Sequence, residues 1–203
     1  MIKGKFITLE GMDGAGKSTH VAWISEKIRA KGLELVTTRE PGGTVLGEVL
    51  RDLLLQQPMQ PDTEAMLMFA ARNEHLSQVI LPALSRGAWV LSDRFSDASY
   101  AYQGGGRGMP SSRLEILEYW VQKNFEPDLT FYFDLPVEVA HSRVLKARQL
   151  DRFEQEQQDF FERVRCSYLE RARHHARIQV IDAHRSIEAI RADVSNILDP
   201  FLL

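Results

Sequence analysis

Five short apolar runs punctuate the chain, at 6–9, 35–38, 89–92, 129–134 and 178–181. Their length and their glycine or polar flanks make each of them read as a buried strand. Helical patterns fill the gaps. Val21, Ile24 and Ile28 fall on one helical face, and Gly32 is placed to end that helix. Val49, Leu50, Leu53 and Leu54 stripe a second helix. A third starts with Asp62 or Thr63 as its cap and runs to near Gly87. Ser112 with Glu115 fits a capping box, and Pro136 suits the first turn of a helix after the fourth strand. Strands alternating with helices predict an α/β fold, a mostly parallel sheet covered on both faces. Ligands in such folds sit beyond the carboxyl ends of the strands. The polar segment after each strand is therefore where chemistry is expected.

After the first run comes Gly11-Met12-Asp13-Gly14-Ala15-Gly16-Lys17-Ser18, followed by Thr19. It matches G-x-x-x-x-G-K-[ST] between a strand and an amphipathic helix, the context that motif requires. Glycines let successive N–H groups face inward onto phosphate oxygens, and the helix N-terminus adds partial positive charge. Lys17 can reach the β- and γ-phosphates, and the Ser18 hydroxyl can ligate Mg²⁺. The residues from Gly11 to Thr19 are thus candidates for binding a nucleoside triphosphate.

Three more segments carry candidate chemistry. Arg39 ends the second run, before Glu40-Pro41-Gly42-Gly43-Thr44, a tight turn. Asp93 ends the third run in the manner of a Walker-B acid, positioned to hold Mg²⁺ directly or through water. Arg94 beside it could hold a second anion. Within the third helix, Met68-Phe69-Ala70-Ala71-Arg72 sets an apolar side chain one turn from an arginine, a pair able to cover a base and bond its edge; core-facing apolar residues are the plainer alternative. Ser99, Tyr102 and Gln103 lead into a glycine run, read as a mobile loop suited to substrate recognition. Lys146, Arg148 and Arg152 cluster beside Asp151, Glu154 and Glu156. That cluster reads equally as a solvated helix face or as a lid that brings arginine charge to a transferring phosphoryl.

Composition narrows the class. The 203 residues suffice for one domain, 1–203, with a full core; 44% are hydrophobic and 26% charged. No apolar run approaches the roughly 20 residues of a membrane span. The N-terminus lacks a signal-peptide pattern, and the one cysteine, Cys166, is expected in the core. These features suggest the cytosol. A net charge of -3 gives no support for nucleic-acid binding. Adjacent His174 and His175 point in different directions on a helix and are not expected to bind metal.

The blocks ITLEGMDGAGKST, TREPGGT, FAAR, SDRF, AYQGGGRG and LDRFEQE occur in the order found in bacterial thymidylate kinases. The chain resembles that family from about residue 5 to residue 170. The resemblance implies a P-loop NTPase fold: a five-stranded parallel sheet flanked by helices, with a lid segment at about 142–156. It implies ATP-dependent phosphorylation of dTMP to dTDP with Mg²⁺, in support of dTTP synthesis, by a cytoplasmic homodimer. On matching residues it implies that 11–18 holds ATP and that Asp13 reaches the acceptor's sugar and phosphate. Arg39 and Arg94 would grip the dTMP phosphate, and Arg72 would read the thymine edge. Ser99, Tyr102 and Gln103 would line the pocket, with either Met68 or Phe69 covering the base. Lys17, Asp13, Arg148 and Arg152 would be catalytic. The family's alternative is a basic residue in the phosphate loop; here that position is Gly14, so the chain is similar to the lid-arginine type. Many lids of that type read R-G-x-L-D-R, one residue longer than Arg148-Gln149-Leu150-Asp151-Arg152.

Two rivals make different demands. A deoxynucleoside kinase phosphorylates a neutral hydroxyl, so it needs a general base and less positive charge than Arg39 and Arg94 together supply. A P-loop GTPase switch needs N-K-x-D for guanine, and the sequence has no such pattern.

Overall fold

The computed structural model describes residues 4–147, 151–154 and 156–202. Arg148 lies outside the described residues. Strands form where the apolar runs predict them: β1 (Phe6–Glu10), β2 (Leu35–Arg39), β3 (Trp89–Asp93), β4 (Leu129–Asp134) and β5 (Ile178–Asp182). They make one parallel sheet in the order β2-β3-β1-β4-β5. Strands β1 and β4, and most of β3, are buried, which is why they read as continuous apolar runs. The edge strands β2 and β5 are only half-buried, a correction to the expectation of five buried strands.

Nine α-helical segments are described. They are α1 (Lys17–Arg29), α2 (Val45–Gln56), α3 (Pro61–His75), α4 (Leu81–Ser85), α5 (Ser96–Ser99), α6 (Ser111–Gln122), α7 (Val137–Ala147), α8 (Gln158–His174) and α9 (Ile187–Leu198). Ile24 and Ile28 of α1 are fully buried against the sheet. The expected long third helix is a continuous helical run through α3, a π-helical stretch (Leu76–Ile80) and α4. Pro82 lacks the N–H an α-helix would use there, and the helix widens just before it.

Several local expectations fail for physical reasons. The helix α3 is entered through Gln60 and Pro61, with Pro at its first position, rather than through Asp62 or Thr63. The predicted capping box does not form: α6 begins at Ser111 after Pro110, with no side-chain cap, so Ser112 is already helical. In α2 only Leu54 of the predicted stripe is fully buried, whereas Val49 and Leu53 are exposed. The glycine run after Gln103 is not a loop. Tyr100–Gly106 is a π-helical turn packed against α8. A Cβ on Gly105 would lie 2.7 Å from the Arg163 carbonyl oxygen, so glycine there permits the close approach of two helices. Cys166 is exposed on α8, not in the core.

The chain leaves β1 toward β2 on one side and leaves β3 toward β4 on the other. The carboxyl ends of β1 and β3 therefore bound a crevice, in the position open α/β sheets use for ligands. No described helix is long and apolar enough to cross a membrane.

Candidate active site

The loop from β1 to α1 occupies one side of that crevice. Lys17 is buried at its base, and its Nζ donates to the carbonyl oxygens of Gly11 (2.9 Å) and Met12 (3.1 Å). Burial, and then the Arg94 charge, hold its pKa below the ordinary lysine value. Gly14 has φ +83, and a Cβ there would lie 2.4 Å from the Ala140 carbonyl oxygen of α7. The loop therefore has no room for a basic side chain at this position. Arg143 of α7 donates to the Gly14 carbonyl oxygen at 3.2 Å. Ser18 stands in the first turn of α1.

Asp93 faces this loop from the end of β3, and its charge acts on Lys17. Its Oδ1 is buried and has no hydrogen-bond partner among the described residues. An anionic oxygen left without a protein donor beside a phosphate loop fits a divalent cation. Asp13, Asp151 and Glu154 also bring carboxylate oxygens within 4.8 Å of one another. Two of the three are tied by backbone bonds: Asp151 Oδ1 accepts the N–H groups of Phe153 and Glu154, and Glu154 Oε2 accepts that of Asp151.

The other side of the crevice is a cavity of about 770 Å³, open solvent at its mouth included. Asp13, Arg39, Met68, Arg72, Arg94, Ser99, Tyr102 and Gln103 all line it. Phe69 does not. It is buried between α3 and α6, with its ring 4.6 Å from the Arg72 guanidinium carbon. Met68 and Phe69 both neighbour Arg72 along the helix, at i−4 and i−3, and it is packing in the cluster with Met109 and Leu114 that takes Phe69 into the core while Met68 lines the cavity.

Each arginine has a carboxylate or hydroxyl behind it. Arg39 Nη2 donates to Glu48 Oε2 at 2.7 Å. Glu48 also accepts the Gly43 N–H, which together with Arg39 keeps its carboxyl below the usual range. Arg94 sits at φ +72, a conformation costly for a residue with a side chain. Its guanidinium donates to Asp13 Oδ1 (3.1 Å), Tyr102 OH (3.2 Å) and Tyr168 OH (3.3 Å). Behind it Glu10, fully buried, accepts from the Phe95 N–H (2.7 Å) and Tyr168 OH (2.8 Å). Burial, then Asp97, pushes the Glu10 carboxyl up to about 8.

Asp151 and Phe153, from the segment expected to be a lid, also line the cavity. Arg152 is fixed on the acceptor side: its Nη2 donates to Glu64 Oε2 (2.7 Å) and its Nε to the Leu54 carbonyl oxygen (2.9 Å). Gln103 donates to the same Glu64, at Oε1, 2.8 Å. Sequence reasoning does not single out Glu10, Glu48, Glu64 or Tyr168, nor the lining residues Arg51 and Leu55. Glu10 alone carried a signal, as an acid directly ending an apolar strand. His174 pairs with Glu170 at 2.8 Å, on the surface.

The family model described as "Thymidylate kinase" matches residues 9–194. The chain is 61% identical to the thymidylate kinase of Nitrosomonas eutropha, over 99% of this chain and 95% of that protein. It is 59% identical to that of Nitrosomonas europaea over the same shares. It is 58% identical to that of Thiobacillus denitrificans, over 97% of each.

Proposed function

The chain belongs to the thymidylate kinase family, and from that premise we propose that it transfers the γ-phosphoryl of ATP to dTMP, giving dTDP and ADP. One observation carries the reading: Arg39, whose register partner across the sheet is Asp93, and Arg94, the residue after Asp93, line one cavity at the ends of β2 and β3. Two arginines suit an acceptor that already bears a phosphate, where a sugar hydroxyl would need a base.

The residues from Gly11 to Thr19 hold the ATP phosphates, with Lys17 toward the β and γ groups. Arg39 and Arg94 orient the dTMP phosphate so that its oxygen attacks the γ-phosphorus in line. Asp13, already bonded to Arg94, aligns that phosphate with the loop. Arg72 bonds the thymine edge, Met68 covers the ring, and Ser99, Tyr102 and Gln103 close the pocket. Ser18 and Asp93 would hold Mg²⁺, which when bound offsets charge on the β- and γ-oxygens. Gly14 leaves no loop arginine, so Arg152, with Arg148, supplies the charge from the lid, exchanging its Glu64 contact for phosphate. The chemistry left to the protein is positioning and charge stabilisation. Residues 1–203 act as one nucleoside-monophosphate-kinase-like unit with its lid at about 142–156.

A coupled ADP-release assay tests the reading, with ATP and Mg²⁺ and dTMP, dUMP, dCMP, dGMP, AMP and thymidine in parallel. Turnover is expected to be highest with dTMP. Turnover with thymidine alone would replace the phosphate acceptor by a hydroxyl and overturn the roles of Arg39 and Arg94.

The partner we propose is a second copy of the chain. Val45, Leu46, Val49 and Leu53 of α2, Met66 of α3, and Ile116, Tyr119 and Trp120 of α6 are all exposed. Helix α3 packs against both α2 and α6, so these side chains lie on adjoining helices. Apolar surface of this extent is a marker of association. Sedimentation velocity at micromolar concentration should give twice the 23.2 kDa chain mass, and Val49→Glu should shift it to the chain mass. A monomeric wild type would sink the proposal.

A further inference from the structure

The Arg72 guanidinium is held on three sides. Nε donates to Glu40 Oε2 at 2.8 Å, and Nη2 donates to the Phe95 carbonyl oxygen (3.2 Å) and to Ser99 Oγ (3.0 Å). Its faces lie 4.6 Å from the Phe69 ring and 5.1 Å from the Phe95 ring. Nη1 is buried and has no hydrogen-bond partner among the described residues. One guanidinium nitrogen, Nη1, is therefore left without a protein acceptor in a residue that lines the cavity, and its direction is set by what holds the rest.

Glu40 is itself anchored. Its Oε1 accepts from Nδ1 of His75 at 2.9 Å, and His75 Nε2 lies 2.6 Å from Thr38 Oγ1. Donation to the carboxylate puts the proton on Nδ1, so Nε2 accepts the Thr38 hydroxyl in the neutral ring. His75 is fully buried, and Glu40 is 6% exposed. The turn after β2 is shaped around this ring. Gly43 has φ +79, and a Cβ there would lie 2.7 Å from His75 Nε2 and from Thr38 Oγ1.

We propose that Glu40 and His75 are positioning residues of the acceptor site: together they fix the angle at which Arg72 presents Nη1 to the base edge. They thereby set discrimination between a pyrimidine with a 4-carbonyl and one with a 4-amino group. Nη1 is a donor, so it can bond a carbonyl oxygen and not an amino group. The selectivity of one such bond depends on its alignment. Without Glu40 the fork keeps only its Nη2 contacts and can pivot about them. The inference rests on the reading of Arg72 as the base-edge arginine.

The test is kcat/KM for dTMP and for dCMP at saturating ATP, in wild type, Arg72→Met, Glu40→Gln, His75→Leu and His75→Asn. Asn retains an amide donor where His75 carries Nδ1. The dTMP-to-dCMP ratio should fall at least about tenfold in Arg72→Met, Glu40→Gln and His75→Leu. It should return toward wild type in His75→Asn. The KM for ATP should stay within about twofold throughout, since these side chains make no bond to the phosphate loop. A collapsed ratio in Arg72→Met with a retained ratio in Glu40→Gln and His75→Leu overturns the positioning role. An unchanged ratio in Arg72→Met overturns the base-edge reading itself, and this inference with it. If Glu40→Gln does not fold, the two His75 variants decide: a ratio in His75→Asn as relaxed as in His75→Leu overturns the part of the Nδ1 donor.

Discussion

The phosphate loop and the acceptor cavity face each other across one crevice, yet they are built by different rules. The loop is a single contiguous segment. Its proposed working groups are backbone N–H donors, one lysine and one hydroxyl, and the lysine is held by the loop's own backbone: Lys17 rests on Gly11 and Met12. The cavity draws Arg39, Arg72 and Arg94 from β2, α3 and the end of β3, and each is set by an acid or hydroxyl from elsewhere. Glu48 lies 9 residues from Arg39, Glu40 lies 32 from Arg72, and Tyr168 lies 74 from Arg94. Binding a triphosphate can be encoded locally because backbone amides serve any phosphate. Reading one nucleotide requires directed side chains, and a directed arginine in a dry site needs a fixed partner.

The lid arginine is where that division can be broken. Arg152 belongs to the proposed lid, bonds to the acceptor side, and is proposed to act in phosphoryl transfer. Arg152→Ala should cut turnover by about 10³-fold, the lower end of what an arginine finger supplies. The dTMP affinity, read by calorimetry, should stay within a few-fold. A large loss of dTMP affinity with turnover intact would mean that Arg152 works where it now sits, on Glu64, as part of the acceptor wall.

The same division explains what the sequence discloses. All five strands, the parallel α/β fold and the phosphate loop follow from patterns a few residues long. Eight expected acceptor residues line the cavity because strand ends and one helix face define it. Phe69 does not, because only the helix's packing decides which of two neighbouring apolar residues faces inward. The α2 stripe misleads for a related reason: apolar spacing marks a face, not what covers it, and Val49 and Leu53 remain exposed. Glu64 is out of reach of pattern reading altogether. An acid in the first turn of a helix is ordinary, and nothing local says that Arg152, 88 residues on, will lie against it.

Glu10 sharpens the comparison, because it ends the strand that feeds the loop yet serves the cavity. It is buried against Asp97 of α5, Arg94, Tyr168 of α8 and, from α1, Lys17. Burial, then Asp97, raises its pKa from 4.5 to about 8, while Arg94 and its two hydrogen bonds oppose the shift. In the unfolded chain the group loses its proton near 4.5; in the folded chain it keeps it to about 8. Between those values the native state binds more protons, so stability must fall as pH rises, by up to about 1.4 kcal/mol per pH unit. Its contribution is complete below 4.5 and lost as pH passes about 8. Glu10→Gln removes the titration and leaves an acceptor for the Phe95 N–H. Urea unfolding at pH 5.5, 6.5 and 7.5 should show the wild type losing stability relative to this variant at each step. Parallel profiles would place the Glu10 proton loss near its ordinary value, with Arg94 and the Tyr168 and Phe95 donors outweighing burial. The cavity's charges would then be balanced as locally as those of the loop.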